Sequence, residues 1–413
     1  MKNGSNTHED KIYWENLLTL LVGWTLWSPF QSACWIYFQA FLKALNATPT
    51  IISFIFFLST VSIVLSRLLG GYLADLLGRK KLVVILTYLY SSTYLLFYFA
   101  TTWWDVLWIE IFASILLLYQ PALWAIVADS LPMKVRGRGY AFINLIPSFM
   151  TIFSPMIALF FLGMSNGDLV GAQKLMFLSA FLTGAITATF RALFLRETLK
   201  VSGDKTVRGG FSQVFSEYGY SIRYIFRNMK VLVVVYALLA ISTGLSFLSQ
   251  YYALFYLEIT LDTWGYVIFY GNVASFIATV IAGYLADKAG RKISLLTGII
   301  SNLMGLVAFV LAPMGNKAVG YLLFWSILTY IGFGFFMNAF QAIETDLIPK
   351  ELRGRCFAII SLIWDLTLAI SQLVSGFLYE NISPVTPFMI SIIVAAITVI
   401  FAFKVPETLK REK

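Results

Sequence analysis

One stretch of the chain occurs twice. Gly70-Gly71-Tyr72-Leu73-Ala74-Asp75-Leu76-Leu77-Gly78-Arg79-Lys80 returns as Ala282-Gly283-Tyr284-Leu285-Ala286-Asp287-Lys288-Ala289-Gly290-Arg291-Lys292. Each copy is a short charged turn that follows an apolar run. Two further landmarks keep their order behind each copy. Asp129-Ser130-Leu131-Pro132, leading to Arg136-Gly137-Arg138, answers Asp346-Leu347-Ile348-Pro349, leading to Arg353-Gly354-Arg355. Arg196-Glu197-Thr198-Leu199-Lys200 then answers Pro406-Glu407-Thr408-Leu409-Lys410. Self-similarity on this scale means one structural unit built twice. The chain reads as a tandem duplication.

The solvent of that unit follows from charge. Only 12% of the 413 residues are charged and 59% are hydrophobic, whereas a soluble domain carries about 25% charged residues. Crossing about 30 Å of hydrocarbon takes about 20 helical residues. Cuts at charged or Pro/Gly-marked turns give twelve such runs, near 14–43, 49–77, 80–101, 104–131, 137–164, 171–196, 229–259, 265–288, 292–313, 319–347, 353–379 and 384–404. The +9 net charge is a topology signal and argues against a nucleic-acid partner. Of the 30 Lys and Arg, only Lys43, Lys174 and Lys317 fall in turns placed outside. The others cluster at the opposite ends, as expected for cytoplasmic loops, which puts both termini inside. Residues 1–12 are polar and the first apolar run is too long for a cleavable leader. Cys34 and Cys356 lie toward opposite membrane faces, which argues against a disulfide. His8, in the N-terminal tail, is the sole histidine, so a histidine-based metal site or proton relay is excluded.

The doubled GxLaDxxGRK turn, with DxxPxxxRGR after the fourth and tenth runs, resembles the major facilitator superfamily over essentially the whole chain. The resemblance implies an all-α membrane fold of two pseudo-symmetric six-helix bundles, here residues 1–196 and 229–413. Residues 197–228 join them. Within this join, 201–210 read as flexible, and Phe211, Val214, Phe215, Tyr218, Ile222, Ile225 and Phe226 recur at helical spacing. That pattern fits a helix in the headgroup layer, and a plain tether is the alternative. The chain matches no one subfamily throughout. The arginine that proton-linked exporters carry early in the fourth helix is replaced by Ile109 or Glu110. Their Gly-Pro-rich fifth helix survives only as Ser154-Pro155 with Ala158. The Gln-Gln pair of sugar porters is replaced, before Gly244, by Leu239 and Ala240.

Small residues form stripes at Ser59, Ser62, Ser66 and Gly70, and at Gly271, Ser275, Thr279 and Ala282. Small side chains let membrane helices approach closely. The resemblance implies that these stripes form movable seams between the halves, helix 2 on helix 11 and helix 8 on helix 5. It also implies a cytoplasmic latch made of Gly71, Asp75, Gly78, Arg79, Arg136 and Glu197 with Gly283, Asp287, Gly290, Arg291, Arg353 and Glu407. The bland reading is that the basic members merely set topology.

Ionisable groups inside the membrane are functional candidates. Asp365, on a stripe with Ser361, Gln372 and Ser375, is the leading candidate for carrying a proton, and Glu110 is the second. Arg67 and Arg191 lie nearer the cytoplasmic face, where long side chains snorkel, and read as structural. In the superfamily, helices 1, 4, 7 and 10 line a central cavity, so Gln31, Trp35, Gln250, Asn338 and Gln341 are the substrate-contact candidates.

The expected function is a monomeric secondary transporter of the cytoplasmic membrane. It moves a small organic solute by alternating access with proton coupling. An aromatic cavity with few fixed charges leans toward export of amphipathic compounds, and uptake of a small metabolite or sugar-like solute is the alternative. A non-transporting sensor is a remote third. The sequence has no GxxxxGK[ST] loop or metal-ligand cluster, so neither an enzyme nor a cofactor is expected beyond the proton gradient.

Overall fold

The computed structural model describes residues 13–131, 136–199, 211–349 and 352–409, except for the side chains at 68, 69, 71, 72, 74–76, 136–138, 140, 141, 211–218 and 287. The described chain is helical, with no strand among the described residues. Its helices are α1 (Trp14–Ile36), α2 (Phe38–Ala44), α3 (Pro49–Leu77), α4 (Arg79–Phe99), α5 (Trp103–Leu116), α6 (Gln120–Asp129), α7 (Arg136–Thr151), α8 (Ser154–Met164) and α9 (Leu169–Phe194). They continue as α10 (Phe211–Asn228), α11 (Lys230–Leu245), α12 (Ser249–Phe255), α13 (Leu261–Lys288), α14 (Arg291–Val310), α15 (Ala318–Leu347), α16 (Arg353–Asn381) and α17 (Thr386–Ala402). Helix occupies each of the twelve runs. Ten helical segments are long and apolar enough to cross a membrane. The first run is interrupted at Tyr37, and the last helix is an apolar segment of 17 residues.

Local chemistry explains several helix starts. Thr102 and Asp105 form a capping box at α5, Asp168 accepts from Val170 and Gly171 N–H at α9, and Thr260 accepts from Thr263 N–H at α13. Each satisfies amide donors that have no partner inside the helix. By contrast, α4 and α14 follow Gly78 and Gly290, which offer no side chain for the task.

The helices gather into two compact units, one of Met1–Asn46 with Ser62–Gly203 and one of Ala47–Val61 with Asp204–Lys413. The start of α3 thus belongs to the second unit. There Thr50 N–H donates to Glu380 at 3.0 Å, Thr50 Oγ1 donates to the Gly376 carbonyl at 3.3 Å, and Ser53 lies against Gly376. Helix α10, in the expected join, docks on the same unit. Ile225 is fully buried in its core, and Tyr224 donates to the Leu347 carbonyl at 2.6 Å. Tyr220, Ile222 and Phe226 remain exposed as an apolar face.

The small-residue stripes make close contacts inside the units. A Cβ at Gly271 would collide with Ser326, and Gly334 packs on Thr279 and the Ser275 carbonyl, so α13 lies on α15. In the first unit a Cβ at Gly70 would collide with the Leu118 carbonyl, while Ser66 donates to the Ser114 carbonyl at 3.2 Å.

Candidate functional site

The three repeated landmarks converge on one constellation in each unit. In the first, Arg79 pairs with Asp129 and its Nη1 reaches Thr198 Oγ1 at 3.3 Å. Glu197 accepts from Lys80 N–H at 2.9 Å and from Thr198 and Leu199 N–H. In the second, Arg291 pairs with Asp346 and reaches Thr408 Oγ1 at 3.4 Å. Glu407 accepts from Arg291 and Lys292 N–H, both at 3.1 Å, and from Leu409 N–H at 2.9 Å. A carboxylate from the end of each unit therefore caps the positive N-terminus of α4 or α14.

The glycines make this approach possible. Gly78 and Gly290 have φ of +85° and +123°, backbone that side-chain-bearing residues rarely adopt. A Cβ would also lie 3.0 Å from the Glu197 carboxylate and 2.5 Å from that of Glu407. Burial penalises the charged form of Glu407, yet the Leu409, Lys292, Arg291 and Thr408 N–H groups outweigh it and hold the carboxyl below its ordinary range. Arg353 donates to the Ile348 and Thr345 carbonyls, closing the C-terminal end of α15. The surroundings of Gly71 and the side chains of Asp75, Arg136 and Asp287 lie outside the described residues; a Cβ at Gly283 would meet nothing within 4 Å.

The first unit also holds a cavity of about 450 Å³ between α1, α4, α6 and α7. Trp24, Trp27, Trp124, Tyr90 and Tyr119 supply its aromatic wall, and Gln31, Gln120, Asn144 and Ser148 its polar groups. Trp24 stacks obliquely on Trp124 at 5.5 Å, and Gln31 donates to the Tyr90 hydroxyl at 3.1 Å. The Major Facilitator Superfamily model matches residues 19–372, and again 256–413. The chain belongs to the major facilitator superfamily.

Among curated members, the niacin transporter NiaP of Acinetobacter baylyi is 25% identical over 145 residues, 35% of this chain and 32% of that protein. The chain thus matches about a third of that relative's length. The Na(+), Li(+), K(+)/H(+) antiporter of Planococcus maritimus is 24% identical over 359 residues, 82% of each chain. Among solved structures, a D-xylose–proton symporter superposes with a TM-score of 0.72 at 17% identity, covering 96% of this chain and 98% of that one. The nucleoside transporter NupG gives 0.69 at 14% identity, over 95% and 98%. At these identities the structural likeness is one of fold.

In this superfamily member the remaining candidates occupy both units. Of the five substrate-contact candidates, Gln31 lines the cavity. Trp35 is exposed and packs on Phe38, Gln250 is buried in α12, and Gln341 is exposed on α15. Asn338 spends its amide on the Gly334 carbonyl of its own helix at 2.8 Å. Glu110 is buried on α5, within electrostatic range of Tyr90. Asp365 is half-buried on α16.

Two charged residues near helix ends are enclosed. Arg191 does not snorkel: it is fully buried, its Nη1 donating to Thr87 Oγ1 at 2.7 Å. Glu344, two residues before Asp346, looks like part of a helix-end cluster but is only 8% exposed. It and Asp365 both lie within electrostatic range of Tyr236, which stacks on Phe340 at 4.0 Å and tilts against Trp364 at 4.5 Å. Among the described residues Glu344's carboxyl has no hydrogen-bond or ion-pair partner. The signal that could have found it was the comparison of repeats: with Asp129 aligned to Asp346, its counterpart is the buried Val127.

Proposed function

We propose that this chain is a secondary transporter of the cytoplasmic membrane, with twelve spans and both termini inside. It moves a small organic solute by alternating access and draws on the proton gradient. The carrying observation is Glu344, only 8% exposed and, like Asp365, within electrostatic range of Tyr236. An ionisable group enclosed within a membrane helix is costly and is a functional candidate by default. A group that is neutral when enclosed and ionised when wetted can move one proton per cycle. Glu344 and Asp365 are therefore the coupling pair. Neither a metal nor an organic cofactor is needed, and a monomer suffices.

The aromatic wall of the first unit's cavity supports an amphipathic solute. The proton symporter and the cation–proton antiporter among the relatives support coupling to protons without giving its direction. In the cycle, the acids at 75 and 287 act as a cytoplasmic latch with Arg136 and Arg353 at the starts of α7 and α16.

The test is lumenal pH, read with a trapped dye in proteoliposomes of known orientation while solutes are added outside. Proton flow along with solute means symport and uptake; opposite flow means antiport and export. Glu344→Gln and Asp365→Asn should each abolish uphill accumulation while sparing solute exchange. Solute movement without any pH change would reject proton coupling, and undiminished uphill transport in either variant would remove that residue from it.

A further inference from the structure

We propose that the cavity of the first unit takes a small planar aromatic monoanion, with its carboxylate toward Tyr119 and its ring among Trp24, Trp27 and Trp124. This gives the solute class for the transporter reading and rests on it. Arg191 is the bulkiest fully buried side chain of the described residues. Its Nη1 is held by Thr87 Oγ1, its Nε has no hydrogen-bond partner, and its electrostatic partner is the phenol of Tyr119. No carboxylate pairs with it among the described residues. A guanidinium cannot shed its proton to escape burial, so the charge is fixed and uncompensated. Such a charge within a membrane protein marks a place where an anion is stabilised.

Tyr119 carries that charge to the cavity, whose wall it forms. With the guanidinium beside its oxygen, the phenol is polarised and its own O–H is left as a strengthened donor. Arg191 also lies close to the cavity wall at α1: a Cβ at Gly23, the residue before Trp24, would be 3.9 Å from its Nε. The Gln31 amide is engaged with Tyr90, and three indoles stand in the wall beside Gln120, Asn144 and Ser148. The indole faces suit a flat ring, and the polar side chains suit its carboxylate.

The experiment is binding of radiolabelled benzoate to the purified full-length protein in detergent, by scintillation proximity, with no gradient. Benzamide, benzylamine and cyclohexanecarboxylate serve as competitors. Unlabelled benzoate should compete about tenfold better than benzamide, the size of one charge-assisted hydrogen bond, and better than benzylamine or cyclohexanecarboxylate. Arg191→Gln should erase the preference for benzoate over benzamide, and Arg191→Lys should keep part of it. Tyr119→Phe, which leaves the buried charge in place, should weaken benzoate but not benzamide, and carries the test if Arg191→Gln does not fold. Absence of benzoate binding, equal competition by benzamide or benzylamine, or an unchanged preference in Tyr119→Phe overturns the proposal. A protein that binds benzoate but moves no protons fails only the coupling reading. One that couples protons to a neutral solute and ignores benzoate fails only this one.

Discussion

Glu197 and Glu407 do from the far end of each unit what Thr102 and Asp168 do locally: they satisfy the free amides of a helix start. Because Glu407 is held below its ordinary carboxyl value of 4.5, its contribution to stability has a defined pH window. It is fully present above the unfolded-state value and is lost as pH falls through the folded one. Glu407→Gln should therefore lower the melting temperature at pH 7, with the gap from wild type closing as the pH drops below about 4. A gap that stays constant down to pH 3 would show that the charge is not what stabilises the cap. The adjacent glycines allow a second test at this scale. Gly78→Ala and Gly290→Ala force a side chain into positive-φ backbone at a cost of about 1–3 kcal/mol, and each added Cβ crowds the capping carboxylate. Both should melt earlier in a thermal-shift assay. Equal melting of wild type and both variants would sink the account.

At the scale of elements, the glycines of α14 and α15 set how closely two helices lie. A Cβ at Gly298 would sit 2.6 Å from the Phe336 amide nitrogen and 2.7 Å from the Gly332 carbonyl oxygen, so backbone meets backbone. Gly298→Leu should leave the second unit misfolded, seen as loss of a monodisperse peak in size-exclusion chromatography. Gly283→Ala, whose Cβ meets nothing within 4 Å, should express and melt like wild type; the reverse order would contradict this packing. These contacts also show where sequence reading stopped. The positions of the helices were legible because apolar runs of membrane length are bounded by charge or Pro/Gly. Spacing reveals that a helix approaches something closely without saying what, so the packing of α13 on α15 was not legible. The Arg79 and Arg291 clusters were half legible: the repeat exposed every member, yet Asp129 and Asp346 were read as landmarks rather than as the arginines' partners. Glu344 and Arg191 were hidden for one reason. Each lies near a helix end, where a charge is ordinarily solvated, and only packing reveals that these two are enclosed.

At the scale of the whole molecule, the repeated landmarks contain acids with two different duties. Asp129 and Asp346 are engaged with arginines inside their own units, so they act on each bundle as a body. Asp75 and Asp287 end α3 and α13 in equivalent places, and the proposed latch gives them a role in the transition between conformations. The two pairs should therefore fail differently. Asp129→Asn with Asp346→Asn removes a charge partner from each cluster and should lower thermal stability, slowing transport only as folded protein is lost. Asp75→Asn with Asp287→Asn should leave melting and equilibrium solute binding near wild type and reduce the maximal rate, because a latch biases the equilibrium between states rather than the solute site. Initial rates across a solute series in proteoliposomes, set beside binding in detergent, separate the two cases. A double variant at 75 and 287 that turns over at the wild-type rate removes the latch, and one that loses binding in proportion to rate makes those acids structural.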